Sequence, residues 1–472
     1  MRWPSFDQSV IDHDESTYIV IGQAVWRGEL LYTDVWDTKP AGIFLLFGFI
    51  LKLFGGSIFT IRMLATVAIT LTSLCLYQAK RCWGHSWSES ILSGALCVMM
   101  CSAYRFGLPA HIELFFMPCV AAALWILIAR DTLMSATLAG LVLGLGFIVK
   151  YVILFDIIPL ALIFFIRPLW NAWRDDRDHL RVHLRRATFF VCAAALPFAS
   201  LHLAFALTGN FDDFYQATYV IPRRYVSSGN AEVFWRMIKR FHYDYIWVLI
   251  PFYLSLSWSL MNTIRPANHR GLTSTYSSRR VEVLFGALWY LSVWVSVLIP
   301  GKPFTHYFLQ LSLPTAFLAP RILSKLAVPW LQRSAFIMIA LFMMGYAGQR
   351  ASEHHRVYHN RVDVPREVAA YLRPKLKPHD RIYTANFDHI LYHLLELDSP
   401  TKYVHRSLLT NPQHLKTLAL DPLDELAHIL RQKPRFILTV NRYRHRALNE
   451  ALRRDYRRLK VFYRRYHVYE RK

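Results

Sequence analysis

The stretch Asp12 to Pro40, DHDESTYIVIGQAVWRGELLYTDVWDTKP, decides how this chain is read. It holds the carboxylates Asp12, Asp14, Glu15, Asp34 and Asp37 and closes on Lys39-Pro40, directly ahead of a mostly apolar chain. Its first half reads as a helix, because Tyr18, Ile21, Val25 and Trp26 recur at helical spacing and Gly28 stops them. Asp14 is then a candidate N-cap, and Glu15 favours the positive end of the helix dipole. Capping accounts for those two acids without chemistry. It does not account for Asp34, Asp37 and Lys39, which follow the helix and precede a second apolar run.

Working outward, 54% of the 472 residues are hydrophobic and the mean hydropathy is +0.22. Several apolar runs reach the roughly 20 residues that a bilayer core requires. The chain is therefore read as a polytopic α-helical membrane protein. Its formal charge of +23 fits cytoplasmic loops and contact with anionic membrane lipids, and nucleic acid is not expected as a partner. The cysteines Cys75, Cys82, Cys97, Cys101, Cys119 and Cys192 lie in or beside apolar runs, with neither metal spacing nor a disulfide framework.

Ala41 to Phe54 is short and carries Lys52, which predicts an interfacial helix lying along the membrane. Spans follow over residues 59–77, 88–104, 111–129, 133–149, 152–166, 187–207, 245–263, 281–299, 305–320 and 334–348, about ten or eleven in all. Lys80-Arg81, Arg130, the basic segment from Arg167, the loop from Arg265 to Arg280, and Arg321 with Lys325 then share one side, which the positive-inside rule makes cytoplasmic. The acidic stretch and the C-terminal region fall on the outer side. Residues 209–243 break the pattern, since they carry Arg223, Arg224, Arg236, Lys239 and Arg240 yet belong outside.

The start, MRWPSFDQSV, has no apolar signal-peptide core. Either the true start lies upstream, or the N-terminus is translocated by the first span. From residue 349 onward hydropathy falls, and Val364–Leu376, Ile390–Leu397 and Asp424–Arg431 read as helices, with Arg381–Thr384 and Phe436–Val440 as strands. The expected division is a membrane domain over 1–348, including an acidic outward loop over 1–57, and a small outward α/β domain over 349–472. The final basic run, RRDYRRLKVFYRRYHVYERK, is either a solvated face or apposed to lipid headgroups.

Asp14-Glu15, Gly28, Tyr32-Thr33-Asp34 and Lys39-Pro40 together resemble the first extracytoplasmic loop of the glycosyltransferase C superfamily. The resemblance is to bacterial family 39 enzymes related to protein O-mannosyltransferases and the lipid A aminoarabinose transferase. Thr17 stands where the aminoarabinose transferases have a phosphate-holding arginine, and Ala41 stands where the family has a second proline. The resemblance implies a glycosyltransferase C-type fold with outward juxtamembrane helices, and a polyprenyl-phosphate sugar donor. It also implies an envelope glycan, lipid or protein acceptor, and a bacterial inner membrane location with a periplasmic active site.

Such a transfer needs a carboxylate to take the acceptor proton and cations, or a metal, to stabilise the departing phosphate. By its match to the motif, Asp14 is the expected base, Glu15 orients the base or contacts the acceptor, and Asp34 is a second acid of the same cleft. Asp12 and Asp37 are further acids of the stretch. Lys39 is the expected phosphate ligand. Arg105, His111 and Glu113 resemble the family's second outward loop, and Lys302, His306 and Tyr307 a later one, so these six complete the candidate substrate and phosphate site. Lys150 follows the glycine-rich run AGLVLGLGFIV and reads either as functional or as a lysine snorkelling from a span end. Asp156 is not on its helical face. A metal requirement is left open, with Asp14 and Glu113 as the ligands if one is used. Two other functions compete: a transporter or flippase of a lipid-linked saccharide, for which no internal repeat is found, and a non-catalytic assembly subunit of the same fold.

Overall fold

The computed structural model describes residues 1–175, 177–226, 231–264, 279–326, 328–441, 443 and 445–472. Most of the expected loop from Arg265 to Arg280 lies outside the described residues. The chain forms two compact units. One comprises residues 1–4, 63–204 and 228–356, and the other residues 5–62, 205–227 and 357–472. The acidic stretch groups with the helix Ala41–Leu53 and the C-terminal region, apart from the helices over residues 63–204.

The helices follow the apolar runs. They begin with α1 (His13–Trp26), α2 (Ala41–Leu53), α3 (Ile58–Cys82), α4 (Trp87–Ser102), α5 (Glu113–Ala129) and α6 (Leu133–Val149). Among the described residues, Ile58–Cys82, Tyr151–Asp175, His179–Leu207, Arg280–Leu298 and Pro329–Tyr358 are long and apolar enough to cross a membrane. The helices α5 and α6 have 17 residues each, about 26 Å against a hydrocarbon core of about 30 Å. The expected span over 305–320 is not one helix. It is a 3-10 turn (Thr305–Leu311), a short α-helix (Ser312–Leu318) and a second 3-10 turn (Ala319–Lys325). Pro314 and Pro320 lack the N–H that a continuous helix needs.

In the larger unit, small residues set the packing. A Cβ on Gly140 would lie 2.3 Å from the Phe190 carbonyl oxygen, and one on Gly144 2.3 Å from that of Ala194. The glycine-rich run therefore lets α6 press directly on the backbone of the helix Arg177–Leu207. One end of this unit carries a buried ion cluster in which Glu282 accepts from Lys80 at 2.8 Å and pairs with Arg321, His85 standing 2.6 Å away. Lys80 and Arg321, counted above as loop cations, are thus internal partners of a carboxylate. Their meeting places the ends of three segments together. The anomalous basic segment is partly self-neutralised, since Arg236 pairs with Glu232 and Arg240 with Asp244 one helical turn away.

In the other unit, α1 and α2 cross at two glycines: a Cβ on Gly22 would sit 2.8 Å from Gly48 N, and one on Gly48 2.4 Å from Gly22 O. The helix α2 leaves Leu45, Phe49 and Leu53 exposed, and Trp26 of α1 lies against Phe49. An apolar stripe of this kind suits an element resting in a membrane interface. The C-terminal region is a four-stranded sheet of β1 (Ile382–Thr384), β2 (Phe436–Val440), β3 (Tyr456–Phe462) and β4 (Tyr466–Arg471) in the order β1-β2-β4-β3. The pair β1/β2 is parallel, with Ile382 opposite Phe436, and the other pairs are antiparallel. The helices Pro422–Arg431 and Arg446–Asp455 cover the sheet through Leu426, Ile429, Leu448 and Leu452, packed with Ile437 and Tyr456. The final basic run is therefore folded: the end of a helix and a hairpin whose exposed positions carry the cations.

Candidate active site

The start of α1 differs from expectation in one consequential way. The N-cap is Asp12, whose Oδ1 accepts the Asp14 N–H at 2.8 Å. Asp14 lies inside the first turn, so capping no longer explains its carboxylate. Next to it, Glu15 is wholly buried, with both oxygens bonded to the guanidinium of an equally buried Arg62: Nη2 to Oε1 at 2.6 Å and Nε to Oε2 at 3.3 Å. Arg62 also donates to the carbonyls of Ser5 and Gln8. A carboxylate held this way ties α1 to the segment before it. The expectation that Glu15 contacts the acceptor does not fit this placement.

The loop from Gly28 to Pro40 folds back toward α1. Gly28 takes φ of 106° and Tyr32, fully buried, takes φ of 73°, a region where a bulky residue is held only by its surroundings. Tyr32 is held by Phe205 and Phe214 around its ring and by a 2.8 Å bond from its hydroxyl to the Lys39 carbonyl. Asp37, also buried, accepts the N–H groups of Thr38 and Lys39 at 2.6 and 3.2 Å. This turn delivers Lys39: its Nζ stands 3.5 Å from Asp14 Oδ1 and 3.2 Å from Asp37 Oδ1. Asp34 is exposed and closes its own turn by accepting the Leu30 N–H at 2.8 Å.

Around the first turn of α1 the C-terminal region contributes residues that sequence reasoning missed. Arg406 Nη2 donates to His13 Nε2 at 2.6 Å, and His389 Nε2 lies 2.9 Å from the Thr17 hydroxyl and 3.1 Å from the His13 carbonyl. His405 Nε2 stands 3.6 Å from Asp14 Oδ1. Burial pushes His405 down to about 4 and holds His389 well below the usual histidine range, so both rings are neutral near pH 7. His405, Arg406 and His389 sit in loops without periodicity, hundreds of residues from Asp14. No local signal could have joined them to it.

The other compact unit gathers a second group of the expected residues. Glu113 opens α5, is fully buried and is bonded to Lys150. The ammonium of Lys150 also lies 4.9 Å from the Tyr307 ring centre. The rings of His111 and His306 stack with centres 4.3 Å apart. Lys150, for which a functional and a snorkelling reading both stood, is thus an ion-pair partner, whereas Asp156 is bonded elsewhere, to Trp289 Nε1 at 2.6 Å. Arg105 is exposed on a 3-10 turn, and Lys302 is partly buried just ahead of His306. Of the two acids named as metal ligands, Asp14 faces Lys39 and Glu113 is paired with Lys150.

A sequence profile of the dolichyl-phosphate-mannose-protein mannosyltransferase family matches residues 38–198. A comparison with curated proteins finds no match. The fold is similar to that of ArnT from Cupriavidus metallidurans bound to undecaprenyl phosphate, with a TM-score of 0.67 and 14% identity over 98% of this chain and 94% of that one. The apo form of the same protein gives a TM-score of 0.61 at 13% identity, over 96% and 93% of the two chains. An oligosaccharyltransferase from Archaeoglobus fulgidus, in complex with Zn and sulfate, gives 0.51 at 10% identity over 91% of this chain and 64% of that one. The architecture implied by the acidic stretch is thereby confirmed: the chain is a multi-pass membrane protein with the fold of the glycosyltransferase C superfamily.

Proposed function

We propose that this chain is an inverting glycosyltransferase that moves a sugar from a polyprenyl-phosphate donor to an envelope glycan, lipid or protein at the outer face of a bacterial inner membrane. The observation that carries the reading is the Asp14–Lys39 pair: a carboxylate in the first turn of α1, not used for capping, 3.5 Å from an ammonium that the following loop delivers. Asp14 takes the proton of the acceptor hydroxyl as its oxygen attacks the anomeric carbon. The bond from that carbon to the phosphate oxygen breaks in the same displacement, inverting the anomeric configuration. Polyprenyl phosphate leaves, and Lys39 stabilises the charge that develops on it. A carboxylate base is expected to contribute about 100- to 10,000-fold in rate. The likeness to a protein crystallised with undecaprenyl phosphate supports a lipid-phosphate donor.

The experiment is mass spectrometry of envelope glycans, lipids and proteins from cells with and without the gene. Loss of one hexose- or pentose-sized addition from one component is the expected result. An unchanged envelope would contradict the reading, and loss of the addition with the lipid-linked saccharide trapped on the cytoplasmic face would favour a flippase.

A further inference from the structure

We propose that His405, in the loop ahead of the helix Ser407–Thr410, is a positioning residue for the Asp14 carboxylate, its Nε2–H fixing the direction in which that carboxylate meets the acceptor. This rests on the reading of Asp14 as the base. The ring is pinned from its far side. Its Nδ1 accepts the backbone N–H of Ser407 at 3.2 Å and lies 2.7 Å from the Ser407 hydroxyl. That hydroxyl and the Ser407 carbonyl are each 3.1 Å from His414 Nδ1. A nitrogen that accepts a backbone N–H carries no proton, so in the neutral ring the proton is on Nε2. That is the nitrogen 3.6 Å from Asp14 Oδ1.

The ring is seated between two others, with centres 5.4 Å from His389 and 6.3 Å from His13. Its tautomer and its tilt are therefore both set by packing. The gap to Asp14 is slightly longer than a hydrogen bond, as is common for catalytic contacts before substrate closes the site. Chemically, His405 complements Lys39. The ammonium supplies charge, which lowers the basicity of a carboxylate. A neutral N–H orients the carboxylate while leaving most of its negative charge in place.

The test uses the full-length protein in a strain lacking the gene, with the cell's own donor pool as the probe. It reads the initial rate at which the missing envelope addition reappears, per folded enzyme. His405→Gln places an amide N–H near the Nε2 position, whereas His405→Asn reaches only the Nδ1 position and cannot approach Asp14. The glutamine variant is expected within about threefold of wild type, and the asparagine and alanine variants about 10- to 100-fold slower. In an Asp14→Asn background, His405→Ala is expected to cause no further loss, because the group it orients is gone. Equal rates for the glutamine and asparagine variants, or a loss by His405→Ala that adds to that of Asp14→Asn, would overturn the proposal while leaving the base intact. Full activity of Asp14→Asn alone would instead remove the base reading itself.

Discussion

Replacing Glu15 by alanine would leave the guanidinium of Arg62 wholly buried without its carboxylate. Breaking a buried pair from one side costs about 3–5 kcal/mol, and detergent-solubilised Glu15→Ala is expected to unfold at clearly lower temperature. Asp12→Ala removes only a cap, worth about 1 kcal/mol, and should shift the midpoint far less. The reverse ranking in a thermal melt would mean that the roles of the two acids have been exchanged. Sequence alone could not make this distinction. Asp12, Asp14 and Glu15 lie within four positions, and one residue of helix phase decides which caps, which is buried and which faces Lys39. Asp14 and Lys39 were legible as a pair through the motif. The role of Glu15 depended on Arg62, whose position in a predicted span gave no sign of a partner 47 residues earlier.

At the level of elements, the crossing of α1 and α2 depends on Gly22 and Gly48, which leave no room for a methyl group. Either glycine changed to leucine is expected to drive the helices apart and cost at least about 1–3 kcal/mol through overpacking. Because the same displacement moves Asp14 relative to Lys39, loss of transfer should accompany loss of stability, which a melt and an activity assay on one preparation would reveal. The same compact unit buries His389, His393 and His405 with depressed affinities for protons, His393 and His405 down to about 4. The unfolded chain binds protons at about 6.5, so between pH 6.5 and 4 it holds more of them than the folded unit. Stability is present above pH 6.5 and is lost as pH falls toward 4. A melting temperature that rose on acidification over that window would contradict this. The long helices were legible because their apolar runs match the bilayer. The β3–β4 hairpin was not, since its turn carries Tyr463 and Arg464 at φ of 49° and 55° where glycine or asparagine is the usual signal, and its strands are dense with arginine.

For the whole molecule, transfer at the outer face requires the acidic stretch and the C-terminal region to lie on the same, outer side. A reporter fused after Lys472 should behave as periplasmic and one near Ala172 as cytoplasmic, and reversed signals would put the carboxylates in the wrong compartment. With Lys39 as the counter-charge for Asp14 and Asp37, transfer is expected to persist after chelation with EDTA, and its abolition would assign the site a metal ion. The mechanism stands or falls with Asp14 as the base. Transfer of labelled sugar from the polyprenyl-phosphate donor is followed in membranes containing wild-type or Asp14→Asn protein, normalised to folded enzyme. The variant keeps the size of the side chain and, with Asp12 as the cap, the helix start. A fall of about 100-fold or more is expected. A rate within about threefold of wild type, far short of a general-base effect, would contradict it.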